Sequence, residues 1–313
     1  MTKFKKPRLT HFKNLDTLSE NDIYYLIEQG IRFRNNVIDK DKIIKNLTGR
    51  VITHLFFEPS TRTLNSFELA AKRLGALTLS PHLATSSTTK GESLIDTVQT
   101  FEAMGTDAIV IRHSENLTPD FIASNLKTNI HVINAGDGTN HHPSQALLDL
   151  MTIFDHKKNF TDLTVAIVGD INHSRVAHSL IIALNKVGAK QVRLVGPEEL
   201  VDKRYETDGA KVFHRLKDGI NRANVIIVLR IQKERFEKDE KLNIDFYQQH
   251  YCVTNEILKY ADDDVIIMHP GPMNRNIEIS SEVADSACSL ILEQVRNGVA
   301  MRMAILNTLL TNH

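Results

Sequence analysis

Nine short apolar, β-branched runs recur along the chain and alternate with amphipathic stretches of about 10 to 15 residues. This alternation is the sequence form of the βαβ unit, in which the helix carries the chain back so that the next strand runs parallel to the last. The runs in the first half are Val51 to Phe57, Leu77 to Ser80, Asp107 to Ile111 and His131 to Asn134. Those in the second half are Thr164 to Val168, Gln191 to Val195, Lys211 to Phe213, Asn224 to Leu229 and Asp264 to Met268. The expected class is α/β with two open parallel sheets. At 313 residues the chain exceeds the usual size of one hydrophobic core, which also predicts two domains. The polar stretch Phe154 to Asp162 is the expected hinge. The tail from Glu282 to Leu310 reads as two helices broken around Asn297-Gly298. In it Val299, Met303, Ile305, Leu306, Leu309 and Leu310 keep helical spacing and must pack on something.

Charge and composition remove several function classes. Lys+Arg and Asp+Glu stand at 38 each, and no stripe interleaves basic with aromatic residues, so no nucleic-acid partner is expected. Any anion handled here must meet cations placed locally. No apolar run approaches the length of a membrane span, and the basic start MTKFKKPRLTHFKNL leads into no apolar core, so no membrane association and a cytoplasmic address are expected. Cys252 and Cys288 carry no pairwise or metal-ligand spacing and read as reduced structural thiols.

In open parallel sheets, ligands bind beyond the carboxyl ends of the strands, so the loops there hold the candidates. The first loop, Phe56 to Thr63 (FFEPSTRT), leads into a helical pattern of Leu64, Phe67, Ala71 and Leu74 that stops at Gly75. Ser60, Thr61, Arg62 and Thr63 then occupy a helix N-terminus. They read either as a plain Ser/Thr cap or as a phosphate site of hydroxyls and a guanidinium. The second, Ala84 to Glu92 (ATSSTTKGE), has no hydrophobic anchor. It is either a solvated surface loop or a lid bringing Lys90 to an anion. Arg112 ends a strand, as a simple exit residue or as a cation directed into the crevice. The fourth loop, Asn134 to Gln145 (NAGDGTNHHPSQ), opens a helix at Pro143. The pair His141-His142 lacks a third ligand at a recognisable spacing, and His142 as a hydrogen-bond donor to a substrate carbonyl is the more economical reading. In the second half, Arg175, Arg230 and Gln232 end strands or loops. Two arginines so placed fit a dicarboxylate, although either alone also reads as a surface ion pair.

Taken in order, FFEPSTRT, SSTTKGES, IRH, NAGDGTNHHPSQ, VGDINHSR, LRIQKER and HPGPMNR resemble the aspartate carbamoyltransferase catalytic chain over essentially its whole length. The resemblance implies the aspartate/ornithine carbamoyltransferase fold. Residues 1–153 would bind carbamoyl phosphate, residues 154–295 would bind aspartate, and a C-terminal helix at about 296–313 would return to the first domain. It implies carbamoyl transfer from carbamoyl phosphate to the amino group of L-aspartate, the committed step of de novo pyrimidine biosynthesis, with no metal and no cofactor. It also implies a homotrimer whose neighbouring chain donates Ser86 and Lys90. On these motifs Ser60, Thr61, Arg62, Thr63, Ser86 and Lys90 hold phosphate, and Arg112, His142 and Gln145 hold the carbamoyl portion. Lys90, Arg112, Arg175, Arg230, Gln232, Gly271 and Pro272 serve aspartate. Arg62, Thr63, Arg112 and His142 form the catalytic set.

Within that family, HPGP and RIQKER favour aspartate over ornithine as the acceptor. A non-catalytic scaffold homologue is the reading from another class. The step after Val165 to Gly169 lacks the G-x-G-x-x-G spacing of a dinucleotide site. The sequence leaves a regulatory chain or a dihydroorotase-like partner open. Leu64 and the single Lys90 depart from relatives with Arg and a second Lys there.

Overall fold

The computed structural model describes residues 3–81, 92–236 and 242–311. It divides into two compact units, residues 1–151 with 295–313 and residues 152–294.

The first unit is built on four parallel strands, β1 (Val51–Phe56), β2 (Leu77–Leu79), β3 (Ala108–His113) and β4 (His131–Asp137), in the order β2-β1-β3-β4. Helix α1 (Glu20–Phe33) precedes them, and α2 (Thr61–Arg73), α3 (Leu94–Ala103) and α4 (Thr118–Asn125) connect them. After β4 comes α5 (Pro143–Lys157). Leu55, Ile109, Ile111 and Val132 of the strands pack with Val98 and Ile122 of α3 and α4 into one core, and none of these side chains is more than 1% exposed. Burial of such side chains contributes roughly 1.5–3 kcal/mol each relative to exposure, which is why short β-branched runs suffice to fix the sheet.

The second unit has five parallel strands, β5 (Thr164–Val168), β6 (Gln191–Val195), β7 (Ala210–Phe213), β8 (Val225–Val228) and β9 (Ile266–Met268), in the order β7-β6-β5-β8-β9. Its helices are α6 (Arg175–Lys186), α7 (Leu216–Ile220), α8 (Ile244–Tyr251), α9 (Asn255–Leu258) and α10 (Ser281–Ala284). Every residue of β5 and β8 is buried, as a parallel sheet covered on both faces requires.

All nine predicted runs form strands, with ends shifted by a few residues. Strands β3 and β4 run further than expected because His113 pairs with Asp137 across a register shift, so Arg112 lies within β3 rather than just past its end. The tail differs from expectation. Helix α11 (Ile291–Leu310) passes unbroken through Asn297-Gly298, and the interruption lies before Ile291. Packing overrides the weak helix propensity of these two residues. Asn297 is fully buried and its Oδ1 accepts from Arg34 Nη1 at 3.2 Å. At Gly298, a Cβ would stand 2.7 Å from Arg302 Nη1 and 3.3 Å from Leu148 Cδ2. The expected hinge, Phe154 to Asp162, begins as the last turn of α5. Phe160 is fully buried, with its ring centroid 5.9 Å from that of Phe154.

Candidate active site

Both sheets reverse their strand order once. In the first unit the chain moves from β1 out to β2 and then returns to place β3 on the other side of β1. In the second it moves from β5 through β6 to β7 and then returns to place β8 beside β5. Crevices open at the carboxyl ends of such switch points. Ser60 to Thr63 follow β1 at the start of α2, and Arg112 stands at the carboxyl end of β3. The loops after β5 and β8 carry Arg175, Arg230 and Gln232.

In the first unit, α2 begins at Thr61 with Ser60 as its cap residue, yet no side-chain bond closes the cap. The first backbone N–H groups of a helix have no intrahelical acceptor, and together with the dipole they favour an anion. Thr61 and Arg62 are exposed and Thr63 is buried. Among the described residues, no carboxylate forms an ion pair with Arg62. Arg112 is held from two sides: its Nη1 donates to the Ala135 carbonyl at 3.2 Å, and its Nε lies 3.3 Å from Glu58 Oε2. His142 is 5% exposed and immediately precedes Pro143, the first residue of α5; Gln145 follows within the first turn and is 8% exposed. The loop before them is organised by Asp137. This buried carboxylate accepts from Asn134 Nδ2 at 2.7 Å, Leu117 N at 2.9 Å, Asn140 Nδ2 at 3.0 Å and His141 N at 3.1 Å. Four donors on one buried carboxylate make the approach to His142 rigid.

In the second unit, Gly169 turns the chain out of β5 at φ 131°. A Cβ there would lie 2.3 Å from the Leu229 carbonyl oxygen, so only glycine lets the two switch-point strands approach. Asp170, fully buried, then ties the two loops together. Its Oδ1 accepts from His173 Nδ1 at 2.8 Å and its Oδ2 from Gln232 N at 3.0 Å. The Gln232 side-chain amide donates to the His173 carbonyl at 3.1 Å, and Arg235 Nη1 donates to the same oxygen at 2.7 Å. Arg175 opens α6 and is 3% exposed. Arg230 is paired with Glu234, whose carboxyl burial alone would raise; the bond and charge of Arg230 outweigh this and hold it below the usual range. The loop of Gly271 and Pro272 is anchored by His269, whose Nδ1 accepts from Gly271 N at 2.8 Å and whose Nε2 lies 3.2 Å from the buried Glu278.

The predicted residues are thus gathered at the switch-point and strand-end loops of each unit. Ser86 and Lys90 lie outside the described residues. The sequence reading did not single out Glu58, Asp137, Asp170 and Glu278, the acidic residues that hold the loops. Only Asp170 carries a local signal, an acid beside a glycine just past a strand. Among the described residues, no three His, Cys, Asp or Glu side chains gather as a metal would need, and no helix is long and apolar enough to cross a membrane.

Comparison with known proteins agrees with this layout. Residues 10–155 match the family model described as aspartate/ornithine carbamoyltransferase, carbamoyl-P binding domain, and residues 161–309 match its Asp/Orn binding domain. The chain is 49% identical over 300 residues to an aspartate carbamoyltransferase catalytic subunit of Coxiella burnetii, covering 96% of each chain. It is also similar to aspartate transcarbamoylase from Trypanosoma cruzi in complex with carbamoyl phosphate and aspartate, with a TM-score of 0.87 and 31% identity over 98% of this chain and 100% of that one. The same enzyme in complex with carbamoyl aspartate and phosphate gives a TM-score of 0.87 and 31% identity over 96% and 95%.

Proposed function

Because the chain belongs to the aspartate/ornithine carbamoyltransferase family, we propose that it transfers the carbamoyl group of carbamoyl phosphate to the amino group of L-aspartate. The products are N-carbamoyl-L-aspartate and phosphate, and the step belongs to pyrimidine synthesis in the cytoplasm. One observation carries this reading: each unit presents cations and polar groups at its own switch point, with a set suited to phosphate in the first and to carboxylates in the second.

In this reading the N-terminus of α2, with Ser60, Thr61, Arg62 and Thr63, holds the phosphate, and Arg112, His142 and Gln145 hold the carbamoyl portion. Arg175, Arg230, Gln232 and the backbone at Gly271 and Pro272 receive aspartate. Its neutral amine attacks the carbamoyl carbon, the C–N bond forms, and the C–O bond to phosphate breaks from a tetrahedral intermediate. No protein nucleophile is required. Thr63, Arg112 and His142 stabilise the oxyanion, and one such donor is worth about 3 kcal/mol. The departing phosphate, adjacent to the amine, takes its proton.

The working unit is a trimer in which a neighbour supplies Ser86 and Lys90 to aspartate and carbamoyl phosphate. The exposed side of the first unit supports an interface there. Strand β2 is a sheet edge, and Leu69 of α2, Leu77 and Leu79 are 43%, 63% and 37% exposed. The test is phosphate release from carbamoyl phosphate with L-aspartate or L-ornithine, with identification of the product. Carbamoyl-aspartate alone is expected. Carbamoyl-ornithine would reassign the acceptor, and no product with either would leave a scaffold.

A further inference from the structure

Strand β9 ends at Met268, and the loop that follows it contains Pro270 and Pro272, which have no N–H to give to a sheet. Two buried side chains hold it instead. His269 is 2% exposed, and Glu278 is fully buried. Gly271, at φ 65°, turns its N–H back onto His269 Nδ1 at 2.8 Å. Further along the loop, Asn274 N donates to Glu278 Oε1 at 2.5 Å. The two side chains meet, with His269 Nε2 3.2 Å from that same oxygen, and the His269 backbone N–H is fixed by Gln294 Oε1 at 2.9 Å. This network decides the tautomer. Nδ1 accepts a hydrogen bond, so it carries no proton; the ring proton is on Nε2 and is donated to Glu278. A ring protonated on Nδ1 would set N–H against the N–H of Gly271.

We infer that the His269–Glu278 pair is a clasp that positions the Gly271–Pro272 backbone for the incoming aspartate, with Glu278 acting through the tautomer it imposes on His269. This rests on the proposed role of that backbone in receiving aspartate. The two ring nitrogens have separate duties: Nδ1 fixes the loop, and the bond at Nε2 keeps Nδ1 free of a proton. With both prolines lacking an N–H and that of Gly271 turned inward, the backbone of residues 270–272 presents carbonyl oxygens only, which suit the amino group of aspartate and not its carboxylates. His269 and Glu278 are positioning residues, with no contact to substrate of their own.

Asparagine and glutamine each reproduce one end of the histidine ring, and the test turns on that division. His269→Asn keeps an acceptor where Nδ1 stands but does not reach Glu278. His269→Gln keeps the reach to Glu278 and most of the volume but has no acceptor at the δ position. Glu278→Gln keeps the Oε1 acceptor, and Glu278→Leu removes it. For the wild type and each variant, kcat and KM for L-aspartate at saturating carbamoyl phosphate are measured together with the thermal midpoint and the affinity for inorganic phosphate. His269→Gln and Glu278→Leu should lower kcat/KM for aspartate about 10- to 100-fold, the cost of misplacing a substrate-positioning group by about 1 Å. The conservative changes His269→Asn and Glu278→Gln should retain most of it, and phosphate affinity should hold in all four. Stability should rank the two His269 variants the other way, since His269→Asn leaves a cavity and deprives Glu278 of a donor. A pair that only packs would make activity follow the thermal midpoint, with His269→Gln the better enzyme; that order would overturn the inference while carbamoyl transfer stood. Wild-type use of aspartate by Glu278→Leu would overturn it equally. A wild type that transfers no carbamoyl group to aspartate would overturn the functional reading, and this inference with it.

Discussion

Helices α2 and α6 occupy equivalent places, each following the strand at the switch point of its own sheet, and they begin in opposite chemical states. At α6 the Ser174 hydroxyl accepts from Ala177 N at 3.2 Å, and Ser174 and Arg175 are 1% and 3% exposed. At α2 the Ser60 hydroxyl closes no cap, the backbone there is at φ −159° and ψ 83°, and Arg62 is exposed. Serine followed closely by arginine at a helix start therefore has no single meaning. Where the fold satisfies the first N–H groups, the serine is part of the scaffold. Where it leaves them facing outward, an anion completes the helix.

The contrast is broken most severely by removing the cations of the first unit. Arg62→Ala with Arg112→Ala should lower turnover by more than about 10⁴-fold, since each charge-assisted contact to a developing anion is worth roughly 3 kcal/mol. The melting temperature should hold, because neither side chain belongs to the apolar core: Arg62 is exposed, and Arg112 stands at the carboxyl end of β3. Steady-state rates and calorimetry decide the matter. Retained activity would show that α2 is an ordinary capped helix.

The two units should also part under acid. His54 of β1 is 1% exposed, and burial pushes its imidazole down to about 4; its Nδ1 lies 3.3 Å from Ser80 Oγ. The unfolded chain takes up this proton near the ordinary value of about 6.5 and the folded chain only near 4. The stabilisation is therefore whole above that upper value and is lost as pH falls through the interval, by roughly 3 kcal/mol in total. His11, also in the first unit, is lowered by burial and further by Lys13 and His131. Hydrogen exchange at pH 7 and at pH 4.5 should show protection failing first in the first unit, and less so in His54→Gln. Equal loss in both units, or an unchanged His54→Gln, would refute this.

In the second unit the proposed aspartate binders already have protein partners: Arg230 has Glu234, and Gln232 has the His173 carbonyl. Arg230→Ala should raise the KM for aspartate about 100-fold, the worth of one strong charge-assisted contact, and leave inorganic phosphate binding as it was. An equal change in both affinities would mean that the division of labour between the units is wrong.

The strands were legible because a parallel sheet buries both faces, and its runs are apolar without interruption, as Val165 to Val168 shows. The site loops were legible because polar residues past a strand end have no role in the sheet. Helix α1 was not identified, although its capping box, with Ser19 Oγ and Asp22 N 3.2 Å apart, stands in the sequence as Ser-x-x-Asp. The Asn297-Gly298 break was misread because the residues that make glycine useful there, Arg302 and Leu148, include one distant in the chain. The same holds for Glu58, Asp170 and Glu278. Their worth depends on which loops the sheet order brings beside them, and a single sequence does not display that order.

The finest test of the contrast needs two single-atom changes. Ser174→Ala removes a cap bond that the folded protein makes, so it should cost about 1 kcal/mol of stability, and restoring Thr or Asp should recover it. Ser60→Ala removes no cap bond, so its cost to stability should stay under about 0.5 kcal/mol. The order reverses when phosphate is the probe. Ser60→Ala should weaken inorganic phosphate about tenfold, the value of one hydrogen bond to a charged group, and Ser174→Ala should leave it unchanged. Denaturant titration and calorimetric binding on the same two variants give all four numbers. If Ser60→Ala is as destabilising as Ser174→Ala and leaves phosphate binding untouched, the N-terminus of α2 is a structural cap, and the anion must be held elsewhere.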